Sequence, residues 1–354
     1  MNKLLSLIYL ILFLVLNFSC VEKKPSKKEI SKSEFVHSSR TDTLKFTSGI
    51  RSIFQDSKGN YWFGSHQEGV CLFNGESFEY FTTNEGLLDN QIRSIQEDEN
   101  GEIWFGTANG VSSYNGKKFT KHTPITHEYS QNEMKKVDNS LWFNAGNNTG
   151  VYRNEGQILN YLAFPIPKNI NPNNSYGVTD ISKSKNGKVW ISTYAGLFNF
   201  EDKAMNIFDK SKLELKENEV LHIRSVLADS QGRIWVGNNG IGVLLLQENS
   251  AINFSDKNGL IHINSSKNGN HSPPGTLEHV FVIKEDSEGN IWFGDRDTGA
   301  WKYDGKTMIN YTIDEKLTTP MVWSIYNDNN NNLLFGMADG GVYKFNGKSF
   351  DKTF

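Results

Sequence analysis

One phrase of sequence recurs along this chain. It reads Ile-Arg-Ser-Ile, then Asp-x-x-Gly-x-Ile-Trp-Phe-Gly-Thr, then Gly-Val, then Tyr-Asn-Gly-x-x-Phe, with Trp62, Trp104, Trp142, Trp190, Trp235 and Trp292 at its centre. A seventh copy carries Leu334 at the Trp position. Successive copies lie 38 to 57 residues apart. A unit this short cannot bury both faces of its own apolar strands, so copies must stack on one another.

The second copy shows the content of a unit. Ile92 to Gln96 alternates as a strand, and Asp98-Glu99-Asn100-Gly101 turns the chain. Glu102 to Gly106 is the second strand and Val111 to Tyr114 the third. Asn115-Gly116 is a strong hairpin signal, because its turn needs positive φ twice. Lys117 to Thr120 is the fourth strand. Four short antiparallel strands repeated at this period predict an all-β, seven-bladed β-propeller over residues 42–354, with the Trp residues packed between blades. Thr43 to Thr47 reads as one more outer strand, either pairing on the seventh blade to help close the ring or competing there with the strand of Phe350.

The first 41 residues have another character. Leu4 to Phe18 is apolar except for Ser6 and Asn17, carries no charge, follows Lys3 and precedes Ser19-Cys20. That layout predicts a signal peptide over 1–19, too short for a membrane span. A Cys at the cleavage point resembles a bacterial lipoprotein signal, which implies lipidation of Cys20 and attachment to the cell envelope membrane. An ordinary signal peptide or an uncleaved anchor is the alternative. Residues 20–41 are rich in Lys, Glu and Ser, with Phe35 the one aromatic, and read as a flexible tether. Cys71 lies in the apolar run Val70 to Phe73 and reads as a buried small hydrophobe.

The string Asn90-Gln91-Ile92-Arg93-Ser94-Ile95, Asp98, Gly101, Ile103-Trp104-Phe105-Gly106-Thr107, Gly110-Val111 resembles the two-component regulator propeller repeat. The Glu85-Gly86-Leu87 and Asn258-Gly259-Leu260 connectors fit the same pattern. The resemblance implies likeness to the periplasmic sensor halves of hybrid histidine kinases and, through them, carbohydrate sensing. The residues after the seventh copy carry no immunoglobulin-like domain, membrane helix or kinase, so phosphotransfer is not expected of this sequence. The repeats also resemble, more distantly, the seven-bladed streptogramin lyases, which implies a His, a Glu and magnesium. His222, Glu278 and His279 are the residues to consider, although no motif fixes them.

A net charge of −3 and the lack of a basic run within the repeats argue against nucleic acid as a partner. The repetitive Asp-x-x-Gly turns mark one face as plain. The loops after the second strands vary and mark the other face as the place for function: His66, Tyr194 and Arg296 are candidates there. A better set holds one register at the start of the innermost strand: Arg51, Arg93, Lys135, Arg224, Phe281 and Trp323, with Thr179 in the fourth copy. Cations and aromatics around a channel mouth suit a carboxylate or sulfate together with a ring. The structural alternative pairs each Arg with an acidic residue of a neighbouring blade. His262, His271 and His279 share one long connector, but their spacing matches no compact metal motif. No nucleophile elbow, zinc helix or phosphate loop occurs. The reading is a non-catalytic envelope lipoprotein without cofactor or metal that binds a glycan, another anionic small ligand or an envelope protein. An assembly scaffold and a lyase-like enzyme stand as alternatives.

Overall fold

The computed structural model describes residues 39–124, 139–156, 158–166, 176–201, 204–217, 219–247, 250–262 and 271–354. The leader, Cys20, most of the tether and Lys135 lie outside the described residues. No helix among the described residues is long and apolar enough to cross a membrane.

The chain forms a seven-bladed propeller. Blade 1 consists of Ile50–Gln55, Tyr61–Ser65, Val70–Phe73 and Phe78–Phe81, each antiparallel to the next. The inner strands of blades 2, 4, 5, 6 and 7 are Ile92–Glu97, Val178–Lys183, Ile223–Ala228, Val280–Glu285 and Val322–Asn327. Each begins a four-stranded sheet in sequence order. Blade 3 contributes Leu141–Asn144, Gly150–Glu155 and Ile158–Ala163 among the described residues.

Seven apolar clusters lie between the blades. Trp62 packs with Ile92, Ile95 and Phe105 of blade 2. Trp190 packs with Ile223 and Val236 of blade 5, and Leu334 with Ile50 and Phe63 of blade 1. Trp104, Trp235 and Trp292 are fully buried. Cys71 is buried in the same manner, and burial pushes its thiol up to about 12.

The Asp of the first turn does more than cap that turn. Asp98 accepts from the backbone N–H groups of Asn100 and Glu102 and, at 3.0 Å, from the indole N–H of Trp104. Asp56, Asp229 and Asp286 hold Trp62, Trp235 and Trp292 at 3.0, 2.9 and 2.8 Å. Where Leu334 replaces Trp, the Asp328 carboxylate instead accepts from the Tyr61 hydroxyl of blade 1 at 2.6 Å.

Inner strands present an unpaired backbone edge to the channel, and side chains of the preceding blade satisfy part of it. Asp180 Oδ2 accepts from Val226 N at 3.1 Å, and Ser182 Oγ from Ala228 N at 3.0 Å. At the join of blades 7 and 1, Tyr326 OH accepts from Gln55 N and Ser324 Oγ donates to Ile50 O.

Closure differs from the sequence expectation in one respect. Thr43 to Thr47 is not a strand. Its Phe46 instead buries its ring among Ile50, Phe63, Leu334 and Val342, and Lys45 N donates to Tyr80 OH at 2.7 Å. The strand in this region is Ser39–Thr41, which pairs with Phe78–Phe81 on the outer edge of blade 1. From blade 7, Phe354 places its ring 4.9 Å from that of Phe63 and 5.4 Å from those of Tyr61 and Phe73.

Candidate functional site

The inner strand of every blade described in full carries a β-bulge at one position. In blade 1, Ile50 pairs with Ser65 but Ser52 pairs with Gly64, leaving Arg51 as the extra residue. The same shift leaves Arg93, Thr179, Arg224, Phe281 and Trp323 unpaired in blades 2, 4, 5, 6 and 7. A bulge bends its strand and re-aims the extra side chain. Apart from Lys135, which lies outside the described residues, the candidates read from register are the bulged residues.

Several of these side chains form two contact groups, one around Arg51 and one around Arg224. Arg51 Nη1 lies 3.3 Å from His66 Nδ1, and its guanidinium carbon lies 5.5 Å from the Trp323 ring centre. The His66 and Trp323 rings meet edge to face at 4.7 Å. Arg224 lies 4.2 Å over Phe281 and 5.5 Å from the Tyr194 ring. Tyr194 in turn contacts His222 at 5.1 Å. Arg93 Nη2 donates to Gln91 Oε1 at 3.4 Å, while its Nε is buried without a hydrogen-bond partner. The Trp323 indole N–H is likewise buried without an acceptor.

The three guanidinium groups feel one another. Burial, with the charges of Arg93 and Arg224, pushes Arg51 down to about 10. Burial, then the same three Arg charges, lowers His66, and burial with Arg224 lowers His222. Both imidazoles are therefore held neutral at neutral pH, and His66 Nδ1 accepts from Arg51. Among the described residues, none of Arg51, Arg93 and Arg224 forms an ion pair with a carboxylate. Cation–π contacts hold Arg51 and Arg224 in place without supplying a countercharge.

Gly49 belongs to this site and was not apparent from the sequence. A Cβ there would collide with the Trp323 ring, so glycine provides the seat for that indole. The signal was a Gly immediately before a recurring Ile-Arg-Ser-Ile.

Arg296 lies apart from this cluster. It forks onto Asp297 through Nε at 2.9 Å and Nη2 at 2.8 Å, so its charge is already met. Asp297 also accepts from Ser272 N and contacts His271 Nδ1 at 3.0 Å. Its carboxyl is held down at about 2: hydrogen bonds, led by that from Arg296, outweigh the opposing effect of burial. Glu278 is fully buried and accepts from His262 N and Ser272 Oγ. His279 is buried, with Nδ1 2.6 Å from Asn239 Oδ1. Glu278 and His279 thus pin the connector between blades 5 and 6 rather than face an open site. No group of three or more His, Cys, Asp or Glu among the described residues is placed to share a metal ion.

Three stretches, residues 45–67, 86–109 and 217–240, match the two component regulator propeller family. No curated protein matches this chain in sequence. Among solved structures, the chain is similar to an extracellular domain assigned to a hybrid two component system of B. thetaiotaomicron. The identity is 21%, the match covers 87% of this chain and 40% of that one, and the TM-score is 0.62. An extracellular domain from the same organism, assigned to a one component system, matches at 20% identity, 87% and 40% coverage, and TM-score 0.60. A streptogramin B lyase matches at 13% identity, 91% and 100% coverage, and TM-score 0.61. This chain spans 40% of the length of each of the first two chains. At these identities the likeness shows the propeller fold.

Proposed function

We propose that this chain, built of two component regulator propeller repeats, is a non-catalytic binding module for a small anionic ligand carrying a ring. A carboxylated or sulfated saccharide is the best-fitting class. The observation that carries this reading is the cluster of three guanidinium groups, aimed by bulges, with no carboxylate partner among the described residues and flanked by aromatic faces. A ligand carboxylate or sulfate supplies the missing countercharge through charge-assisted, often bidentate hydrogen bonds. Trp323, Phe281 and Tyr194 offer surfaces for a ring. The buried Trp323 N–H and Arg93 Nε are donors ready for the ligand's oxygens. In the same proposal the module works at the cell envelope, outside the cytoplasm, tethered through a lipidated Cys20. Likeness to extracellular domains and the form of the leader support that placement.

The test is thermal unfolding with D-glucuronate or a sulfated monosaccharide, in the native protein and in Arg51→Gln, Arg93→Gln and Arg224→Gln. A ligand bound only by the folded state raises the unfolding temperature by mass action. The expected result is a rise with the native protein that each substitution abolishes. The unliganded Arg51→Gln variant should keep its stability or gain about 1 kcal/mol, because a charge held in a repulsive, partly buried place is removed. Loss of folding in all three variants would assign these Arg residues a structural role and sink the proposal.

A further inference from the structure

At three joins on the plain face of the ring, the last residue of an inner strand braces the turn of the preceding blade, and the join between blades 4 and 5 lacks that brace. Between blades 1 and 2, the Glu97 carboxylate braces the preceding turn, accepting from Ser57 N and Oγ at 2.8 and 2.7 Å. Glu285 braces Ser230 in the same way between blades 5 and 6. Between blades 7 and 1, Gln55 Oε1 accepts from Asn329 N at 2.9 Å. Between blades 4 and 5, Ala228 stands at the bracing position and has no acceptor to offer.

The turn in blade 4 has changed as well. Ser184 occupies the place of the Asp found six residues before the Trp in blades 1, 2, 5 and 6. Ser184 Oγ does not hold the Trp190 indole N–H, which is buried and without an acceptor. Trp190 itself is only 6% exposed. Blade 7, which lost the Trp and kept the Asp, fills the gap with Tyr61. Blade 4, which lost the Asp and kept the Trp, has a half-open cavity of about 350 Å³ at this point. Ser184, Lys185, Lys188, Trp190, Asp229 and Ile234 are among the residues that line it. Lys188 is paired with Glu201 at 2.7 Å and Asp229 is held by Arg233. Lys185 makes no ion pair among the described residues and leaves a net positive charge at the cavity.

We propose that this cavity is a second binding site, for a small carboxylate-bearing molecule. Its carboxylate takes the place held by the Asp side chain in other blades and accepts from the Trp190 indole N–H. Lys185 provides the countercharge, and the rest of the molecule lies against Trp190 and Ile234. The volume falls within the range of small-molecule sites. The site is distinct from the cation cluster at the channel mouth and shares no residue with it.

The experiment follows the Trp190 indole N–H resonance by ¹⁵N NMR of the full chain, assigned by its loss in Trp190→Phe. Acetate and D-glucuronate are titrated, with D-glucose as the uncharged control. A saturable shift is expected with at least one carboxylate and none with glucose. Ser184→Asp, which supplies the carboxylate from within the chain, should move the resonance before any ligand is added and abolish the response. Lys185→Ser should weaken it. Arg224→Gln, at the channel mouth, should leave it intact, so the two sites are told apart. No shift with either carboxylate, an equal response to glucose, or a response unchanged in Ser184→Asp would overturn the proposal.

Discussion

The residues at the channel mouth hold two neutral imidazoles beside three positive guanidinium groups, and the pH dependence follows from that arrangement. In the free protein His66 resists protonation because of burial and because Arg51, Arg93 and Arg224 are near. Unfolding releases both constraints, so below about pH 6.5 the unfolded chain takes up a proton that the folded one does not. Stability of the unliganded protein therefore falls as pH drops through that value. An anion at the mouth favours the imidazolium, so binding takes up a proton at His66. Affinity for D-glucuronate, measured by calorimetry, should rise as pH falls toward the lowered pKa of His66 in the free protein. The rise should be absent in His66→Asn, and a flat profile in the native protein would separate His66 from the ligand. A second residue-scale prediction concerns the Asp and Trp of the turn. Asp98→Ala removes the acceptor for two turn N–H groups and leaves the fully buried Trp104 indole unpaired. It should cost about 2–3 kcal/mol in denaturant unfolding. The register of Arg51, Arg93, Arg224, Phe281 and Trp323 was legible in the sequence because the repeat aligns them. The bulge that turns them inward was not, since no residue type marks it. The Asp-to-Trp bond was legible in principle, as a fixed spacing of six residues.

At the scale of elements, the join between blades 7 and 1 is made without exchanging a strand. Blade 7 is built wholly from Val322–Asn327, Leu333–Met337, Val342–Phe345 and Phe350–Lys352. Phe46, Phe354, Tyr61 and Tyr326 close the ring through side chains. Phe46→Ala should therefore cost about 3 kcal/mol, a core-like value for a residue outside any strand. Denaturant unfolding checks this, and a loss below about 1 kcal/mol would show that Phe46 does not bridge the blades. The blades themselves were legible because turns, Trp spacing and alternation all agree. The segment before them was misread. Thr43 to Thr47 alternates like a strand, yet Ser39–Thr41 takes the outer edge of blade 1, and Phe46 is drawn into the apolar cluster between blades 7 and 1 instead. Local pattern names a strand only where a partner exists for it.

For the whole molecule, seven apolar clusters of similar make-up replace a single core, and each belongs to two blades. Stability is then close to a sum over neighbouring pairs, as in other repeat architectures. Because the four blade strands of each fully described blade follow sequence order and no strand is exchanged between described blades, each such blade is a self-contained word in the chain. A duplication or loss that respects these boundaries inserts or removes a whole wedge without breaking a single strand pairing. Such a ring can evolve by copying whole units and then diversifying them. The altered join between blades 4 and 5 is the trace expected when one copied unit is released from the consensus and left free to acquire a new use.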